Sequence, residues 1–107
     1  MGKIYKEYNK LVRDRIPEII ERDNKKCKIE IASKEEKYKF LEMKLQEEVN
    51  EFIEDKNLEE LADVMEVIFG LANFLGYSEE DLLKARHKKK VERGGFERGI
   101  LLKGVSK

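Results

Sequence analysis

The chain has one cysteine, one histidine, no tryptophan and no net charge, and each scarcity excludes something. A lone Cys27 cannot form an internal disulfide. Its neighbours Lys25, Lys26 and Lys28 would favour a thiolate, but no histidine or second cysteine lies near it in sequence to make it a catalytic nucleophile. Equal numbers of basic and acidic residues, 23 of each, leave no overall field to draw the protein to nucleic acid or to an anionic membrane. No apolar run approaches the roughly 20 residues of a membrane-spanning helix. The first residues, with Lys3, Lys6 and Glu7, lack the apolar stretch of a signal peptide. A cytoplasmic protein is expected, with no nucleic-acid or membrane partner. There is no internal repeat and no low-complexity tract. Low cysteine and absent tryptophan, beside abundant charge, also suit a heat-adapted source.

What is present is charge, 43% of 107 residues, beside 40% hydrophobic residues, enough for a packed core in one domain covering residues 1–107. The charge is unevenly spread. Residues 35–66 hold twelve acids and four bases, and residues 84–107 hold nine bases and two acids. An acidic middle and a basic end suit a ligand that carries both metal ions and phosphates.

The order of elements reads as all-α, a helical bundle with short extended N- and C-terminal segments. Pro17 suits the first turn of a short helix over Ile16–Arg22, which Asp23-Asn24 ends. Lys28–Ala32 alternates like a short strand. Ser33 and Glu36 form a capping box opening a helix from Lys34 to Asp55, whose apolar stripe is Tyr38, Leu41, Leu45, Val49, Phe52 and Ile53. Lys56-Asn57 is a short turn into a helix over Leu58–Leu75. Its segment Val67–Ala72 is apolar on every side, which points to a subunit interface. Gly76 suits a helix C-terminus, and Ser78 starts a fourth helix that reaches Arg93 before Gly94-Gly95 breaks it. Phe96–Val105 forms an extended tail or a strand paired with the N-terminal arm.

The chemistry lies in Glu47-Glu48-x-x-Glu51 and Glu60-x-x-Asp63. Helical positions three apart are neighbours, so Glu48 with Glu51 and Glu60 with Asp63 each form a carboxylate pair. Chain reversal at Lys56-Asn57 sets the two pairs face to face. Converging carboxylates partly withdrawn from water must protonate or share a cation, and oxygen-only ligands favour Mg²⁺, with Mn²⁺ as its substitute. Competing readings stand beside this one. Glu60 fits a reciprocal cap with Asn57, and Lys44 can pair with Glu48 along the helix.

These acids, together with Asn9–Ile20 at the start and Lys88–Phe96 near the end, resemble the MazG-like superfamily of all-α nucleoside triphosphate pyrophosphohydrolases, in particular a small standalone branch. The resemblance implies a homodimer or higher homo-oligomer. It also implies Mg²⁺-dependent hydrolysis of a nucleoside triphosphate to the monophosphate and pyrophosphate, as in house-cleaning of noncanonical nucleotides. Carried over by position, Glu48, Glu51, Glu60 and Asp63 would be the metal ligands, with Glu47 just behind them. Eight residues separate Glu51 from Glu60, fewer than is usual there, which demands a tight hairpin.

Either Glu47 or Glu48 would take the proton from the attacking water. Lys89, Lys90 and Arg93 are candidates for the phosphates, as are Lys10 and Arg13, although Arg13 or Arg15 also has Asp14 and Glu18 to pair with. Asn73 is a candidate for the base or a buried residue satisfied by backbone. Tyr38 and Phe96 are candidates to stack on a base but are expected in the core, and His87 is expected in solvent. The competing functions are a phosphoribosyl-ATP pyrophosphohydrolase of histidine biosynthesis and a noncatalytic helical interaction module.

Overall fold

The computed structural model describes residues 7–107, so the observations on Lys3 and Lys6 lie outside it. Four helices follow one another: α1 (Ile16–Arg22), α2 (Lys34–Asp55), α3 (Leu58–Phe74) and α4 (Glu79–Arg93). There is no strand among the described residues, so the all-α expectation holds. No single helix there is long and apolar enough to cross a membrane.

The boundaries follow local chemistry. Glu36 N–H donates to Ser33 Oγ at 3.2 Å while Ser33 N–H donates to the Glu36 carboxylate at 3.0 Å, closing the capping box of α2. Ser78 and Asp81 make the same reciprocal pair at the start of α4. Glu60 N–H donates to Asn57 Oδ1 at 2.9 Å to open α3. Between α2 and α3, Lys56 turns the chain in the left-handed region at φ 50°, its N–H still bonded to Phe52 O. Gly76, at φ 94°, supplies the same turn after α3 without a Cβ penalty.

An antiparallel α2–α3 hairpin carries the fold. Its open end is pinned by the Tyr38 and Phe74 rings, 4.9 Å apart, so Tyr38 is a packing residue. One turn in from that end the helices approach closely. A Cβ on Gly70 would stand 3.1 Å from Leu41 Cδ2, which accounts for a glycine inside a helix. Leu41, Val67 and Ala72 are the buried apolar residues of the described chain, and one acid, Glu48, is buried with them. From the far end of α3, α4 departs at a bend of 108°. α1 packs on none of the other helices.

Two expectations about extended structure and core fail. Residues 28–32 form no strand. Ile29 and Ile31 are both exposed, since alternation creates a strand only where a partner strand exists to bond it. Phe96 lies almost wholly in solvent rather than in a core, and of the two forms expected for Phe96–Val105 the tail is the one present, with no strand there.

Candidate metal centre

The acids meet at the closed end of the hairpin. Helical spacing puts Glu48 on the face of α2 that carries Leu41 and Leu45, and Glu60 and Asp63 on the face of α3 that carries Val67. Oxygens of Glu48, Glu60 and Asp63 all lie within 4.8 Å of one another. Oxygens of Glu47, Glu48 and Glu51 form a second such trio, so Glu48 belongs to both.

Two oxygens set the chemistry of this cluster. Glu48 is 7% exposed, and its Oε2, like Oε2 of Glu60, is buried with no hydrogen-bond partner. Glu51 is within reach of both. Burial pushes the Glu48 carboxyl above its usual range; Lys44 pulls it back, and Glu51 raises it again. Burial likewise raises Glu60, helped by the charges of Asp63, Asp55 and Glu48. Orphaned buried oxygens on acids that resist ionisation are what a hard divalent ion would satisfy. The donor set therefore fits Mg²⁺ or Mn²⁺.

Glu60 is not the reciprocal cap that its position allowed. Asn57 caps the Glu60 N–H, but the Glu60 carboxylate does not return to the Asn57 backbone and turns into the cluster instead. The Lys44–Glu48 pair does form, at 3.2 Å, and Lys44 also donates to Glu47 at 3.1 Å. It engages one Glu48 oxygen and leaves the other orphaned.

Cations from the N-terminal segment also reach the acids. Arg13 Nη2 donates to Asp63 Oδ1 at 2.6 Å, in place of the Asp14 or Glu18 partners its sequence offered. It is Arg15 that pairs with Glu18. Lys10 Nζ stands 3.8 Å from Glu47. Asn73 is exposed on α3, ten residues beyond Asp63, or about 15 Å at a helical rise of roughly 1.5 Å per residue. Lys89, Lys90 and Arg93 are exposed on α4 past the bend and make no ion pair among the described residues. His87 is exposed, as expected. Asn9, Lys10, Leu11, Phe40 and Met43 line a cavity of about 170 Å³ together with Lys44 and Glu47, a wall that the separate short motifs gave no sign of.

The sequence model of the dUTPase family matches residues 3–93 of the chain. The chain belongs to that dUTPase family. This corrects the MazG-like resemblance. Acids at these spacings are what two antiparallel helices need to hold a hard cation, so the motif reports chemistry, whereas the family match extends over both termini of the hairpin and most of the chain. Membership makes the protein a hydrolase acting on nucleoside triphosphates. No curated protein and no solved structure matches it.

Proposed function

We propose that this dUTPase-family protein hydrolyses dUTP to dUMP and pyrophosphate with Mg²⁺ held by Glu48, Glu51, Glu60 and Asp63. The observation that carries the reading is the pair of buried, unpartnered oxygens on Glu48 and Glu60 inside the acidic cluster. Bound there, the ion would neutralise phosphate oxygens and activate water. The chain's own residues do the rest. Glu48 has one oxygen on Lys44 and turns the other inward, so the proton of the attacking water falls to Glu47, half-exposed at the rim with Lys44 and Lys10 beside its oxygens. Lys10 and Arg13 stand beside the acids as partners for phosphate oxygens. Removal of an unwanted nucleotide is the role this activity fits.

The assembly belongs to the same proposal. The chain exposes 10420 Å², against roughly 6,200 Å² for a compact monomer of this mass. Its radius of gyration is 18.9 Å, against about 13 Å for a compact domain of this length. Leu58, Leu61, Met65, Ile68 and, just past its end, Leu75 recur at intervals of three, four and seven along α3 and are all exposed. A second copy of the chain covers that stripe, and Lys89, Lys90 and Arg93 reach the phosphates from a neighbouring copy. Asn73 would contact the base in the same way.

The test is pyrophosphate release from dUTP and from a panel of other triphosphates, with Mg²⁺ and with chelator. Metal-dependent release that is fastest with dUTP supports the reading. Asp63→Ala should lower kcat/KM by more than ~100-fold, the upper range for losing a group that only supports a ligand. Absence of pyrophosphate from every triphosphate rejects it.

A further inference from the structure

Three facts meet at Asp63. Its Oδ1 accepts from Arg13 at 2.6 Å, it shares a 4.8 Å cluster with Glu48 and Glu60, and the inward oxygens of those two acids are buried without partners. The guanidinium is delivered from irregular chain fifty positions earlier, and its side chain is 53% exposed. Arg13 therefore answers the charge of one corner of the cluster and leaves the deeper oxygens unanswered. A divalent ion among the three acids draws on Asp63 too, and a guanidinium held at that oxygen would stand within a few ångströms of a like charge. The two cations therefore compete for Asp63.

We propose that Arg13 is the resident counter-ion of the acidic cluster: it holds Asp63 while metal is absent, is expelled when metal enters, and is thereby released to grip the triphosphate. The proposal rests on the metal-site reading above. The pair depresses metal affinity in the nucleotide-free protein. A triphosphate accepts the released fork and restores that affinity, so metal and nucleotide bind cooperatively through one side chain.

The experiment titrates the full chain with Mn²⁺, counting free ion by its electron paramagnetic resonance signal, without nucleotide and then with a nonhydrolysable imido analogue of dUTP. Wild type is compared with Arg13→Ala, with Arg13→Gln, which keeps the stem length, and with Arg15→Ala. Arg15 carries the same charge two positions away and pairs with Glu18 at 3.2 Å. Both Arg13 variants should bind Mn²⁺ about 5-fold more tightly without nucleotide, the factor set by a firm exposed ion pair, and the analogue should add less affinity than it adds in wild type. Arg15→Ala should stay within about 2-fold of wild type. Unchanged or weaker Mn²⁺ binding in the Arg13 variants overturns the proposal, as does equal tightening by Arg15→Ala, which would mark a diffuse field. Mn²⁺ binding by wild type with no Arg13 effect sinks this inference alone. No binding by any of the proteins sinks the metal site as well.

Discussion

Lys44 and Glu48 face each other at 3.2 Å, one helical turn apart on α2, and both side chains are largely withdrawn from water. Burial alone would lower Lys44, but its hydrogen bonds to Glu47 and Glu48 outweigh that and hold the ammonium above its ordinary range. Removing it strands a buried carboxylate. Lys44→Met should destabilise the metal-free protein by about 1–3 kcal/mol, the cost of an unsatisfied buried acid, as read by urea denaturation. Mg²⁺ should recover much of that loss. A neutral effect of Lys44→Met would mean that Glu48 is not confined as described.

Glu60 gives a pH signature of definite sign. Its folded carboxyl lies above the ordinary value of 4.5, so between that value and the raised one the native state holds more protons than the unfolded chain. The contribution of Glu60 is then most favourable in acid and is lost as pH rises through that window. Glu60→Gln removes the dependence. In metal-free protein, the Tm of Glu60→Gln minus that of wild type should increase from acid toward neutral pH and then level off. Added Mg²⁺ should reverse the ranking at neutral pH. A difference that is flat with pH would contradict the buried carboxyl.

Met65 and Ile68 lie exposed at the centre of the apolar stripe on α3. A charge placed there cannot be covered by a second copy without a heavy desolvation cost. Met65→Glu with Ile68→Glu should reduce the mass seen by light scattering to that of one chain. The same change should lower Tm and remove the dependence of Tm on protein concentration that an oligomer shows. A wild-type chain that is monomeric at every concentration would dispose of the stripe as an interface.

Local rules made most of the helices legible. Ser33 with Glu36, Asn57, Ser78 and Pro17 each act within one turn of themselves, so the helices begin where those residues put them, and α3 stops one residue short of expectation. Spacing also brought Glu48, Glu60 and Asp63 together, because the turn at Lys56-Asn57 is too short to allow another register. Strand formation at 28–32 depends on a partner elsewhere in the chain, and none is present among the described residues to pair with it. The Arg13–Asp63 contact links positions fifty apart through an irregular segment that has no periodicity to read. Family membership was also hidden, since carboxylates three residues apart serve any fold that grips a hard ion between two helices.

All four proposed ligands lie between Glu48 and Asp63, on either side of the Lys56-Asn57 turn. Closing so short a loop costs little chain entropy, so the cage can assemble early in folding, before distant segments have found their places. Evolution can therefore lengthen, trim or replace the segments before α2 and after α3, and so retune which molecule is admitted, without disturbing the alignment of the acids.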